Sequence, residues 1–149
     1  MGHFSVALFG YMPSEITKQA VLSILEAIKE AQGDVCIEKN FLSALGSISQ
    51  DMKTFEQATD LSPKTSLFVS FGGDGTMLKA ITYIKDSGIP LVGVNTGRLG
   101  FLSTIDVTQV QKVIKDFIAG AYTLEERSMV AISSNPPIPL FAKQAGNIE

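Results

Sequence analysis

The sequence predicts an α/β domain: a central, mostly parallel sheet with helices on both faces. Three observations carry this prediction. Residues 4–10 and 34–38 read as short apolar strands on either side of an amphipathic helix, the spacing of a βαβ unit with a right-handed crossover. A second strand-to-helix unit spans 66–85 and is joined by Gly72-Gly73-Asp74-Gly75-Thr76. A third strand, 89–94, opens into another polar, glycine-bearing loop.

The elements follow in chain order. Phe4-Ser5-Val6-Ala7-Leu8-Phe9-Gly10 is apolar and ends in glycine, as a buried parallel strand does. Ser14 suits the N-cap of a helix running to about Ala31. Ile16, Ala20, Ile24, Ala27 and Ala31 form its apolar stripe, widened by Val21 and Ile28, and Gly33 is the expected stop. Asp34-Val35-Cys36-Ile37-Glu38 is a second strand. The pattern from 40 to 62 is poor: 41–45 suggests a short helix, and 51–58 another helix or a loop. Residues 66–71 read as a buried strand and 74–85 as a helix with Met77, Leu78, Ile81 and Ile84 inward. Pro90 sits near the start of the next strand, where proline is tolerated. Asp106 with Gln109 resembles a capping box, and the helix to Ala119 buries Val107, Val110, Ile114, Phe117 and Ile118 before Gly120 closes it. Residues 122–133 read as an extended strand, and Asn135-Pro136-Pro137-Ile138-Pro139 as a stiff turn.

Composition narrows the function. The 149 residues suit one sizeable core, with 45% hydrophobic and 18% charged residues. A net charge of −3 gives no electrostatic case for nucleic acid, and no basic run suits an anionic membrane. Cys36 is the single cysteine and His3 the single histidine, so an internal disulfide is excluded and a His or Cys metal site is not expected. No apolar run nears the roughly 20 residues of a membrane span. The first residues lack the basic region of a signal peptide, and Val6 stands where a myristoylation signal wants Ser or Thr. The expectation is a soluble cytoplasmic protein.

Gly72-Gly73-Asp74-Gly75-Thr76 is the chemical centre of the chain. Glycines let backbone N–H groups turn toward one point with no Cβ in the way. The new helix adds unpaired N–H groups and the positive end of its dipole, an arrangement that suits phosphate. Asp74 is anomalous beside phosphate. It makes sense as a base for a hydroxyl or as a ligand of a nucleotide-borne metal. The plainer account is a tight turn with Asp74 as cap. Asn95-Thr96-Gly97 follows the next strand, 21 residues after Asp74, and its plainer account is a turn. Loops at the carboxyl ends of parallel strands share an edge where ligands bind, so the two loops support each other. Leu99 and Phe101 suit a pocket wall or core equally, and Arg98 either phosphate or solvent. Lys79 lies roughly one and a half turns past Asp74, where a surface lysine is the commoner explanation.

Gly72-Gly73-Asp74-Gly75-Thr76 followed by Asn95-Thr96-Gly97-Arg98-Leu99-Gly100-Phe101-Leu102 resembles the two signatures of the inorganic polyphosphate/ATP-NAD kinase family. The first motif is shared with diacylglycerol, sphingosine and phosphofructokinase-type kinases; the second is more specific. Glu126-Arg127-Ser128-Met129 resembles the family's segment leading into its second domain. The implied fold is a three-layer, mostly parallel Rossmann-like sheet, the family's N-terminal domain, plus the first strand of a missing β-rich second domain. The implied reaction is phosphorylation of the 2′-hydroxyl of the adenosine ribose of NAD to NADP, from ATP or polyphosphate, with a divalent metal such as magnesium. By resemblance Asp74 is the base or orienting group. Gly72, Gly73, Gly75, Thr76, Lys79 and Asn95 would line the nucleotide pocket. Asn147 falls near the family's Asn-acid pair, although Ile148 separates it from Glu149.

Two units are therefore expected: an α/β nucleotide-binding domain over 1–121, and from 122 to 149 the start of a truncated second domain. The full-length protein is expected to be a homo-oligomer. The alternatives are a diacylglycerol-type lipid kinase domain and a catalytically inactive nucleotide-binding half.

Overall fold

The structure, a computed structural model, describes residues 2–46, 48, 51–98, 100–131, 133, 135 and 136. Its elements are β1 (Ser5–Gly10), α1 (Glu15–Glu30), β2 (Asp34–Glu38), α2 (Lys39–Leu45), β3 (Lys53–Phe55), β4 (Leu67–Gly72), α3 (Asp74–Ile84), β5 (Leu91–Asn95), β6 (Ile105–Asp106) and α4 (Val110–Ile118). Short 3-10 turns occur at Ala58–Asp60 and Val107–Gln109. The strands form one sheet in the order β3-β2-β1-β4-β5-β6, and every neighbouring pair is parallel. The expected parallel α/β architecture is what the chain adopts. Strand order reverses between β1 and β4, so the crevice of an open α/β sheet lies at their carboxyl ends.

Alternation along the strands sorts the core into two faces. Val6, Leu8, Val69, Phe71 and Val94 pack with α1, α2 and α4 through Val21, Ile24, Ile28, Phe41, Leu45, Val110 and Ile114. Ala7, Phe9 and Phe68 face α3, meeting Ala80 and Ile84, with Phe55 beside them. On that second face Phe9, Phe55, Phe68 and Tyr83 form an aromatic cluster, with ring centroids 5.2 Å apart for Phe55 and Tyr83 and 5.3 Å for Phe9 and Tyr83.

Several local expectations are corrected. In α1 the Ser14 hydroxyl caps the Thr17 N–H at 3.2 Å as expected, but Ile16 is exposed and Thr17 takes the buried position. The helix stops on Gln32, at φ 57°, and not on Gly33. Gly33 is needed for a different reason: a Cβ there would lie 2.5 Å from the Phe4 ring. The region expected to be helix or loop holds β3, a three-residue edge strand on β2. In α3 the buried residues are Lys79, Ala80 and Ile84, while Leu78 is exposed. Small Ala80 faces the aromatic cluster and lets the helix approach the sheet, which rotates the apolar stripe away from Leu78. Asp106 caps its own turn by accepting from the Thr108 N–H at 2.8 Å, with no box to Gln109. Residues 121–131 form no strand and are exposed, because among the described residues no neighbouring strand lies beside them; Tyr122 alone stacks, on Phe117 at 4.6 Å.

Phe68 is fully buried at the middle of the α3 face. Phe68→Ala is expected to lower unfolding stability by about 3–5 kcal/mol. Phe101→Ala, at a 95% exposed ring, should stay within about 0.5 kcal/mol. Urea unfolding followed by circular dichroism compares the two, and equal losses would contradict this assignment of the core.

Candidate active site

The site begins where β4 ends. Gly72 has φ 154°, and a Cβ there would fall 2.2 Å from the Thr76 hydroxyl. Glycine at 72 thus lets the Thr76 side chain fold back over the strand end. Gly73 is the N-cap of α3 and Asp74 its first residue. A Cβ at Gly73 or Gly75 would meet open space. Nothing within the domain demands glycine at these two positions, and the bare backbone faces outward.

The second loop closes on the first. Asn95 lies opposite Gly72 in the β4–β5 register. Its side-chain oxygen accepts from the Gly97 N–H at 2.8 Å, which turns the chain, and the Thr96 N–H donates to the Gly72 carbonyl at 3.4 Å. The returning segment then wraps the Asp74 carboxylate. The Phe101 N–H donates to Oδ2 at 2.9 Å, and the N–H groups of Leu102 and Ser103 donate to Oδ1 at 2.9 and 3.1 Å. Gly100 makes room for this: a Cβ there would lie 2.3 Å from Asp74 Oδ1. The buried Ser103 hydroxyl donates to the Gly72 carbonyl at 3.1 Å, a second tie between the loops.

These bonds define what Asp74 can do. The N–H groups of Ser103, Leu102 and Phe101 hold its carboxyl below the usual aspartate range, against a smaller opposing effect of burial. A carboxylate offers about four lone-pair sites, and the three N–H donors leave one, on Oδ2. Asp74 can therefore accept a hydrogen bond from a hydroxyl and orient it. Its low proton affinity makes it a weak base.

Gly72, Gly73, Asp74, Gly75, Thr76 and Asn95 thus converge at the carboxyl ends of β4 and β5. Lys79 departs from the surface-lysine explanation. It is buried on α3, with Nζ 5.7 Å from the Tyr83 ring centroid. Burial lowers its pKa and the Glu38 charge raises it. Arg98 is exposed, and the Phe101 ring projects outward and fills no core. Leu99 and Asn147 lie outside the described residues. Sequence reasoning missed Ser103 and Glu38. Ser103 acts mostly through its backbone and leaves no side-chain signature. Glu38 carried one, an acid directly between a strand and a helix, and it caps α2 through the Phe41 N–H at 2.8 Å.

The donor set does not fit a metal held by this domain. Both Asp74 oxygens accept N–H bonds, and among the described residues no three His, Cys, Asp or Glu side chains converge. No helix of the described residues is long and apolar enough to cross a membrane.

Strand order, switch point and paired glycine loops define a Rossmann-like α/β domain whose glycine loop has moved from β1 to β4. The β1–α1 turn, Gly10-Tyr11-Met12-Pro13-Ser14, lacks the glycine fingerprint of dinucleotide-binding folds. Comparison with known proteins completes the assignment: the family model of the ATP-NAD kinase N-terminal domain matches residues 23–122, and the chain belongs to the ATP-NAD kinase family. An NAD kinase of Christiangramia forsetii is 35% identical over 147 residues, covering 95% of this chain and 50% of that protein. An NAD kinase of Cytophaga hutchinsonii is 40% identical over 108 residues, covering 72% of this chain and 35% of that one. The crystal structure of yeast NADH kinase complexed with NADH superposes with a TM-score of 0.63 at 20% identity, over 80% of this chain and 37% of that one, which shows the shared fold. The chain spans about half the length of the curated relatives it matches. The family match does not favour the lipid-kinase alternative.

The held carboxylate makes a prediction about pH. A folded-state pKa below the unfolded value, about 3.9, contributes stability that is complete above that value. The contribution is lost as pH falls through the folded value. The stability difference between the wild type and Asp74→Asn should therefore be larger at about pH 7 than at about pH 3. Urea midpoints at both pH values test this, and a difference independent of pH would contradict it.

Proposed function

We propose that this chain is the nucleotide-binding, Asp74-bearing α/β part of an NAD kinase. The reaction is transfer of a phosphoryl group from ATP, or from polyphosphate, to the 2′-hydroxyl of the adenosine ribose of NAD, giving NADP. The observation that carries the reading is the closure of the second signature loop onto Asp74, three N–H bonds that leave one acceptor site on Oδ2. That site suits a ribose hydroxyl. Phosphoryl transfer proceeds through a loose transition state, so a group that orients the nucleophile is worth more than a strong base. Gly73 and Gly75 leave the approach to the helix start open, and the α3 dipole favours negative charge there. Asn95 holds the facing loop, Thr76 closes the strand end, and Lys79 supplies positive charge to the NAD phosphates. A divalent ion such as magnesium, implied by the family, would arrive on the phosphates.

The unit boundary belongs to the same reading. The α/β domain runs to about residue 121, and a second unit begins at 122. The family match ends at 122, Gly120 closes α4 at φ 75°, and the described residues beyond it form no strand. A cytoplasmic location and a homo-oligomeric full-length protein complete the proposal.

NADP formation from NAD with ATP or polyphosphate, followed through an NADP-specific dehydrogenase, is the direct test. Asp74→Asn should lower the rate by about 10²-fold or more, because the nucleophile loses its orienting acceptor. NAD binding by calorimetry should weaken far less. A variant as fast as the wild type would overturn the role of Asp74. A chain that neither binds NAD nor forms NADP would overturn the reading as a whole.

A further inference from the structure

One residue bonds on both sides of Asp74. The Ser103 N–H donates to Asp74 Oδ1 at 3.1 Å, and the Ser103 hydroxyl donates to the Gly72 carbonyl at 3.1 Å. That carbonyl belongs to the peptide joining Gly72, the last residue of β4, to Gly73, the N-cap of α3. A peptide is a rigid plane, so a bond to its oxygen fixes the direction in which the chain leaves it. Asp74 is the first residue of the helix that follows. A second donor to the same oxygen, the Thr96 N–H, stands at 3.4 Å, long for an N–H bond, so the hydroxyl makes the closer tie. The Ser103 side chain is only 1% exposed and cannot touch a substrate. Its backbone lies against β5 and α3: a Cβ at Gly93 would stand 3.0 Å from Ser103 Cα and 2.8 Å from the Met77 sulfur. Ser103 is thus held from behind, and both its polar hydrogens are spent on the Asp74 loop.

We propose that Ser103 is a positioning residue: its hydroxyl, tied to the Gly72 carbonyl, holds its own N–H on Asp74 and so sets the direction of the free Oδ2 lone pair. The use of that lone pair by a ribose hydroxyl rests on the NAD kinase reading; the link from hydroxyl to carboxylate does not. The simpler account is a core serine that satisfies its hydroxyl on the nearest carbonyl. Three observations go beyond it. The accepting carbonyl lies two residues before the carboxylate that the same residue binds. Of the three N–H groups that hold the Asp74 carboxyl low, that of Ser103 has the largest effect. Gly93 leaves the space that this close approach to β5 requires. The N–H acts on Asp74 directly, and the hydroxyl keeps that N–H where it acts.

The test removes the hydroxyl and leaves the N–H. In Ser103→Ala the Asp74 carboxyl, followed by carbon-13 NMR against pH, should titrate higher than in the wild type, toward the usual aspartate range, as its N–H bonds loosen. Asp34, on β2 and far along the chain from both loops, should titrate as before. An Asp74 that titrates as in the wild type overturns the proposal. Gly93→Ala reaches the same residue with the hydroxyl intact, by pressing on Ser103 Cα, and should shift Asp74 in the same direction. If Ser103→Ala does not fold, this second variant alone decides. In the NADP-forming assay, Ser103→Ala should lower kcat about tenfold with little change in the KM for NAD. In an Asp74→Asn background it should add little, because the oriented acceptor is already gone. An equal loss in that background would mean that Ser103 supports the fold at large and would overturn the proposal. If Asp74 shifts as expected while the wild-type chain neither binds NAD nor forms NADP, the positioning stands and the NAD kinase reading fails.

Discussion

Three backbone N–H groups on one carboxylate organise this end of the molecule. Asp74 opens α3, while Phe101, Leu102 and Ser103 lie on the far side of β5, yet the 2.9–3.1 Å bonds between them make the two loops one body. The surrounding sequence follows from this clasp. Gly100 must lack a side chain because the carboxylate occupies that space. Gly72 must lack one because the Thr76 side chain fills the space a Cβ would take, and the Gly72 carbonyl is held in turn by Ser103. The path forced on the chain after Asn95 then delivers β6 to the sheet edge. An exchange of Asp74 for a residue that accepts no hydrogen bond, such as alanine, would therefore release the loop path, whereas asparagine keeps an Oδ1 for the N–H groups of Leu102 and Ser103.

The sheet explains why this body sits where it does. In a parallel sheet all carboxyl ends share an edge, and the reversal of strand order between β1 and β4 opens a crevice there. The rings of Phe9, Phe55, Phe68 and Tyr83 fix α3 from below and so fix the position of its first residue, Asp74. The same packing carries Lys79 inward, with its Nζ 5.7 Å from the Tyr83 ring centroid. Hydrophobic burial thus sets the geometry of the polar groups at the edge.

The sequence made the large elements legible for identifiable reasons. β1, β2, β4 and β5 are apolar runs, and α1 and α4 carry stripes at helical spacing that survive small shifts in facing. β3 and β6 have three and two residues, too few for any alternation to appear. Leu78 reads as inward because it outweighs Ala80 in hydrophobicity, whereas close approach to a sheet favours the smaller residue. Residues 122–133 have the composition of a strand, but a strand is a property of two segments, and its partner cannot be read from one. Both signature loops were legible as glycine patterns around Asp74 and Asn95. The bonds between them were not, because the donors are peptide N–H groups that every residue but proline possesses.

A carboxylate between glycines at a phosphate-type loop looked contradictory in the sequence, and the hydrogen bonds resolve the contradiction. Three peptide dipoles and the positive end of α3 point at Asp74, so its charge is largely balanced before any substrate approaches. Such a carboxylate repels an incoming phosphate less than a bare one would. It also holds its own proton weakly, so it stays an acceptor across the neutral range. On the proposed reading, a hydroxyl docked on the remaining Oδ2 lone pair would be oriented by a group that need not change protonation state as the phosphoryl group arrives. The same donors that make Asp74 a poor base would make it a stable guide for that nucleophile, and loose phosphoryl transfer requires the guide more than the base.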